Sequence, residues 1–165
     1  MLRRVMDEQL DSREELESLI SADLRALTSE SDQIGQLFSR SQGVRIADFR
    51  ALLHIMVAET AGAPITSGEL RDRMGLSGAA ITYMVDRLID SGHIRRESHP
   101  ADRRKVVLRY APAGLATARS FFTPLRQHTH AALAGLPDAE LAAAHRVFNA
   151  LIAAMRAFQA DLGAP

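Results

Sequence analysis

Residues 66–110 read TSGELRDRMGLSGAAITYMVDRLIDSGHIRRESHPADRRKVVLRY. Thr66 followed three residues later by Glu69 is a capping box, in which hydroxyl and carboxylate each satisfy an amide left open at a helix start. The helix it opens is short, because Gly75 stops it. Ser77 is a good N-cap for the next helix, where Ile81, Met84, Val85, Leu88 and Ile89 recur at i, i+3, i+4, i+7 and i+8 and form one buried stripe. At ~100° per residue this helix turns Ala79, Ala80, Tyr83 and Arg87 away from the stripe and leaves Thr82 at its edge. Ser91-Gly92 ends it. Residues 94–98 and 106–110 then read as two short strands around a His-Pro-Ala-Asp tip, on their β-branched and aromatic content. A short capped helix, a glycine turn, a helix with a polar outer face and a basic hairpin, in that order, spell a helix-turn-helix with a wing.

Outward from this module, the apolar spacing from Glu14 to about Arg40 predicts a long amphipathic helix closed by Gly43. A second helix is predicted from about Ile46 to Thr60, broken by Gly62 and Pro64. Pro112 suits the first position of a further helix, which Pro124 should kink or interrupt. A last helix, capped near Asp138, spans about Ala139 to Leu162. The fold class expected is mainly α with a small β-wing (α+β), the wing and helix-turn-helix flanked by long helices. These outer helices carry more apolar surface than one small module can cover, and patches of that kind usually meet a partner.

The 165 residues hold 20 Lys+Arg against 20 Asp+Glu, a formal net charge of zero. Within residues 95–110, however, Arg95, Arg96, Arg103, Arg104, Lys105 and Arg109 face only Glu97 and Asp102. The absence of cysteine excludes a disulfide framework, a thiolate zinc site and a cysteine redox switch. Met1-Leu2-Arg3-Arg4 is followed by Asp7, Glu8 and Asp11 where a signal peptide needs an apolar region. No apolar run approaches the ~18 residues that span a membrane. A cytoplasmic protein without membrane contact is expected. No nucleophile elbow, P-loop, dinucleotide fingerprint or paired-carboxylate arrangement is present, so neither enzyme activity nor a cofactor is expected.

The stretch ITSGELRDRMGLSGAAITYMVDRLIDSGHIRRESHPADRRKVVLRYAPAG resembles the MarR-type winged-helix transcriptional regulators. Its most specific fragment is the wing signature Asp-x-Arg, here Asp102-Arg103-Arg104, followed by the Pro112-Ala113-Gly114 helix start. The likeness runs from about Glu14 to Leu162. It implies a homodimer built from residues 1–45 (an N-terminal dimerisation helix) and 112–165 (C-terminal dimerisation helices), with residues 46–111 as the DNA-binding winged module. A two-fold dimer reads a pseudo-palindromic operator in double-stranded DNA, its half-sites ~34 Å apart. The resemblance further implies a repressor, released by a small phenolic or lipophilic effector.

The DNA-binding residues expected are Thr66, Ser77, Gly78, Ala79, Ala80, Thr82, Tyr83 and Arg87 from the helix pair, and Asp102, Arg103, Arg104 and Lys105 from the wing. By match to the family motif, Arg104 enters the minor groove, where a guanidinium meets concentrated negative potential. Asp102 orients it by a charge-assisted hydrogen bond, while Arg103 and Lys105 meet phosphates. The chain departs from the family pattern at Gly78, Ala79, Ala80 and Tyr83, where long polar side chains are usual, so direct base reading should be thin, with shape and the wing carrying more of the specificity. Ala111 stands where the family often has a capping threonine.

Other readings stay open. His54, His128 and His130 could contribute to a metal site of a metal-responsive regulator, although no metal ligand set is assigned and surface histidines are the simpler account. Phe49, Phe121 and Phe122 could line an effector cavity or pack in the core, and Tyr83 could be core-edge packing. The basic hairpin could be a solvated tip that resists edge-to-edge association, and the whole could be a winged-helix protein-interaction module that never meets DNA.

Overall fold

The structure, a computed structural model, describes residues 12–99 and 101–163. The Met1-Leu2-Arg3-Arg4 segment and Pro100 of the hairpin tip lie outside them. The elements in order are α1 (Arg13–Gln42), α2 (Ile46–Thr60), α3 (Ser67–Met74), α4 (Gly78–Asp90), β1 (Ile94–His99), β2 (Asp102–Tyr110), α5 (Pro112–Leu133) and α6 (Asp138–Gly163).

Local chemistry sets the boundaries. The Ser12 hydroxyl accepts from the Glu15 amide to open α1, and Gly43 closes it in the left-handed conformation at φ 64°. The predicted capping box is complete: the Glu69 amide donates to the Thr66 hydroxyl at 3.2 Å, and the Thr66 amide donates to the Glu69 carboxylate at 2.6 Å. Gly75, at φ 63°, makes the turn between α3 and α4, a conformation that costs a side-chain-bearing residue about 1 kcal/mol or more. Ser77 then caps α4 by accepting from the Ala80 amide.

Ile55, Leu70, Val85, Leu88, Ile94, Val107 and Leu108 have fully buried side chains. They come from α2, α3, α4 and both strands, so three helices and the hairpin share one core. Each such residue contributes roughly 1.5–3 kcal/mol of burial. The hairpin is antiparallel with Ile94 opposite Tyr110 and Ser98 opposite Val106, and the Leu108 amide donates to the Ile65 carbonyl at 2.8 Å, tying β2 to the entry of α3.

Two expectations change. The second strand begins at Asp102 rather than at Val106, because the hairpin closes again at its tip: the partner jumps from Val106, opposite Ser98, to Asp102, opposite His99. Arg103, Arg104 and Lys105 are thus in strand conformation but have no cross-strand partner among the described residues. Pro124 does not interrupt α5, which runs unbroken to Leu133.

The chain falls into two compact units, one ending at Ala118 and one beginning at Arg119. The first turns of α5, as far as Ala118, fall in the first unit. Gly114 is the physical reason: a Cβ there would lie 2.7 Å from the His93 Cα, so only glycine lets α5 sit on the turn between α4 and β1. The Ala111 amide donates to the His93 carbonyl at 3.0 Å in the same place. The α1–α2 contact is equally close, with Gly35 beneath the Phe49 ring and Phe38 tilted against Phe49 at 5.3 Å between centroids and 42° between planes. In the second unit, α6 buries no residue completely, and Val147, Phe148, Ile152, Met155, Phe158 and Leu162 are exposed along it. No helix among the described residues is long and apolar enough to cross a membrane.

Candidate nucleic-acid interface

The outer face of α4 is bare. Gly78, Ala79, Ala80, Thr82 and Tyr83 are all exposed, while Ile81, Met84, Val85 and Leu88 are buried. Of the hydrogen-bonding groups on that face, the Thr82 hydroxyl is already committed, donating to the Gly78 carbonyl at 2.9 Å. The Ser77 oxygen holds the helix start and keeps its own proton available. The Tyr83 side chain stands out furthest, 64% exposed. Thr66 is half-buried at the start of α3, its oxygen engaged in the capping box.

Arg87 is placed differently from the outward DNA contact that helical projection suggests. Its guanidinium turns to α2 and grips the Asp48 carboxylate with two nitrogens, Nε to Oδ2 at 2.9 Å and Nη2 to Oδ1. Asp48 is only 4% exposed, and a charge so buried needs a cation with good geometry to be tolerated. The bond to Asp48 raises the Arg87 pKa above its ordinary value, with Tyr83 adding to the effect. The guanidinium carbon lies 4.9 Å from the centroid of the Tyr83 ring.

The wing tip has the opposite character. Arg103, Arg104 and Lys105 are exposed, and the Arg104 side chain reaches 95% exposure. Asp102 accepts from the Arg104 amide at 3.1 Å and its carboxylate lies 3.6 Å from the Arg104 Nε. The sequence-expected orienting pair is thus in contact. Lower on the hairpin the cations are paired. Arg96 bonds Asp86 of α4 at 2.8 Å, fixing the wing stem to the helix beside it. Arg95 donates to Glu97 at 2.7 Å and to the Tyr110 carbonyl. Arg109 meets Glu59 at 3.3 Å and Glu97 at 3.4 Å. Glu59 also accepts from the Tyr110 amide, and the buried Tyr110 hydroxyl donates to the Leu52 carbonyl at 3.0 Å. Burial, then the Glu59 charge, push that phenol well above its ordinary pKa.

Asp48 and Glu59 escaped the sequence reading. A signal for them exists: Asp48, Leu52, Ile55 and Glu59 recur at i, i+4, i+7 and i+11, which puts two acids on the core stripe of α2. Acids there demand cationic partners, and Arg87 and Arg109 supply them.

Beneath the wing, Met56, Glu59, Thr60, Arg95, Tyr110, Pro112 and Leu115 line a cavity of about 440 Å³. None of Phe49, Phe121 and Phe122, for which the sequence leaves an effector cavity and core packing both open, lines it. Phe49 packs on Phe38, and Phe121 meets Phe122 edge to face at 5.0 Å. His54 is half-buried in the first unit, its pKa lowered by burial and then by Arg73. His128 and His130 are exposed on α5. Among the described residues no three histidine or carboxylate side chains converge on a possible metal position.

Residues 42–105 match the model of the MarR family. An uncharacterized HTH-type transcriptional regulator of Bacillus subtilis, YcgE, is 33% identical over 119 residues, 72% of this chain and 75% of that protein. Among solved structures, a MarR family protein from Bacillus stearothermophilus superposes with a TM-score of 0.60 at 20% identity, covering 88% of this chain and 99% of its own. A mutant MepR from a multidrug resistant Staphylococcus aureus clinical isolate gives 0.65 at 11% identity, over 82% and 96%. The winged fold agrees with these structures and the relatedness with the B. subtilis protein: this chain belongs to the MarR family of transcriptional regulators.

Proposed function

We propose that the protein is a homodimeric repressor that binds a pseudo-palindromic operator in double-stranded DNA and is released by a small effector. The observation that carries the DNA-binding part is one arrangement: three exposed cations at the wing tip, joined through Arg96 and Asp86 to a helix whose outer face is open. On a duplex, the first turn of α4 enters the major groove, where Gly78, Ala79 and Ala80 let the backbone come close. Ser77 and Tyr83 supply hydrogen bonds, and Thr66 lies at the groove edge. Arg104, aimed by Asp102, enters the minor groove, and Arg103 and Lys105 sit on phosphates. Arg87 acts from behind the interface.

Dimerisation is supported by the apolar residues that stay exposed on the flanking helices, among them Leu16, Leu19 and Leu27 on α1 and Ile152, Met155 and Phe158 on α6. Contiguous surface of this kind is costly in water. The cavity under the wing is a place for a small lipophilic effector, since Met56, Pro112 and Leu115 give it apolar wall beside the polar groups of Arg95 and Glu59. An effector there favours one spacing of the two DNA-reading lobes over the other and so shifts operator affinity. The protein acts in the cytoplasm by binding alone.

The test is fluorescence anisotropy with duplex from the region upstream of its own gene, against random duplex of equal length at about 0.15 M salt. A dimer that prefers the upstream pseudo-palindrome by two orders of magnitude or more supports the reading, given that specific sites typically gain about 10³–10⁷ over random DNA. Equal affinity for both would sink it. A variant with Arg103 and Arg104 changed to alanine separates a DNA reader, which loses affinity and salt dependence, from a protein-interaction module, which loses neither.

A further inference from the structure

The outer face of α4 presents a duplex with few groups that can report a base. Gly78, Ala79 and Ala80 carry none, and the Thr82 hydroxyl is turned back onto its own helix. Beside the Ser77 hydroxyl, whose oxygen is held at the helix start by the Ala80 amide, discrimination therefore falls mainly to Tyr83, whose phenol can donate to an acceptor edge in the major groove such as guanine O6 or adenine N7. An exposed tyrosine is ordinarily free to swing, and a swinging phenol tells bases apart poorly because every base in reach can be met halfway.

Here the ring is not free. Arg87, one turn further along the helix, lies over its face at 4.9 Å, a cation–π arrangement. Arg87 is itself fixed by a two-point fork on Asp48, and a fork sets the plane of a guanidinium as well as its position. Asp48 is buried at the start of α2 and can touch no duplex. From these contacts, and resting on the DNA-binding reading above, we infer that Asp48 is the positioning residue for operator discrimination, acting through Arg87 to hold the Tyr83 phenol in a single orientation toward the bases. Sequence preference thus depends on the core of the module, while overall affinity depends on the wing.

The experiment uses the full chain and a duplex that the wild-type protein enriches from a random pool. Dissociation constants are measured for this duplex and for random duplex. The main variant replaces the whole pair by apolar residues, Asp48→Leu with Arg87→Met, because a buried ion pair exchanged for apolar side chains of similar volume usually leaves stability unharmed. The expected result is random-duplex affinity within about twofold of wild type and discrimination reduced at least about fivefold, within the range of one lost base contact. Tyr83→Ala should cost a similar factor in the wild-type background and nothing further in the pair variant, the non-additivity expected of residues acting as one unit. Wild-type discrimination in the pair variant, or an equal Tyr83→Ala effect in both backgrounds, overturns the inference. Should the pair variant fail to fold, Arg87→Lys keeps the buried charge balanced without the fork. Discrimination must then fall about threefold or more, and unchanged discrimination overturns the proposal as well. A wild-type chain that enriches no sequence from the pool overturns the DNA-binding reading itself, and this inference with it.

Discussion

Helix α4 and the wing tip stand in one module and differ in almost every physical respect. The helix is anchored: four of its side chains are buried, its start is capped, and its one arginine is locked onto an acid from another helix. The wing tip is open, with three cations in a row that have no cross-strand partner among the described residues and the Asp102 carboxylate beside them. Affinity for a polyanion needs only charge near phosphates and tolerates motion. Discrimination between bases needs fixed geometry. On the proposed DNA-binding reading, the contrast gives the two tasks different places, with rigidity supplied from the core and charge supplied from the periphery.

The sharpest way to break this contrast is Arg87→Ala, which strands the Asp48 carboxylate in the core. It should lower unfolding free energy by about 3–5 kcal/mol, read as a shift of the urea midpoint, because the helix side owes its order to that pair. Removing Arg103, Arg104 and Lys105 together should do the reverse. Stability stays within about 0.5 kcal/mol, as for exposed positions generally. Affinity for any duplex should fall about a hundredfold, with the slope of log K against log salt reduced by about 2 per wing for the phosphate contacts proposed for Arg103 and Lys105. Gly114→Ala probes the joint between the regions. The new Cβ meets the His93 backbone between α4 and β1, where nothing flexible can yield, so about 1–3 kcal/mol of stability should be lost. Loss of affinity with no loss of stability would show that the joint is not a packing contact.

The smallest effect expected concerns pH. His54 on α2 is held below its ordinary value of 6.5 by burial and then by Arg73 of α3. The folded chain therefore binds fewer protons there than the unfolded chain, and stability is full above about pH 6.5 and declines as pH falls below it. His54→Gln should flatten this part of the stability profile, and it should leave the salt slope of DNA binding unaltered, since His54 stands apart from the wing cations. An unchanged stability profile in that variant would remove His54 from the account.

What could be read from the sequence was what local chemistry determines. The Thr66–Glu69 box, the Gly75 turn, the Ser77 cap and the stripe of α4 lie within a few residues of their causes, and the structure forms each of them. The Asp102–Arg104 pairing expected at the wing has a local counterpart in the Arg104 backbone amide on the Asp102 carboxylate, with the guanidinium 3.6 Å away. Contacts across long stretches of chain were not legible. Asp48 and Arg87 are 39 residues apart and Glu59 and Arg109 are 50 apart, and no periodicity within one helix names a partner on another. The two acids on the α2 core stripe were the available hint. The early start of β2 was hidden because Arg-Arg-Lys carries no β-branched or aromatic signal; the closure at the hairpin tip sets it. The seat of the first turn of α5 depends on Gly114 fitting the His93 turn, a tertiary fact invisible in helical spacing. Pro124 carries a strong local signal for interruption, yet α5 continues through it.

The unpaired run at the wing tip gives the molecule a built-in reporter. Proteases cut extended, exposed backbone that no neighbouring strand holds, and trypsin requires lysine or arginine at the cut. Arg103, Arg104 and Lys105 meet both conditions at once, whereas Arg95, Arg96 and Arg109 on the paired stem meet only the second. The peptide bonds after these three residues are therefore the expected first nicks in the free protein. On the proposed reading a duplex seated on the wing would cover them, so that occupancy could be followed on the unlabelled chain by the survival of a single band.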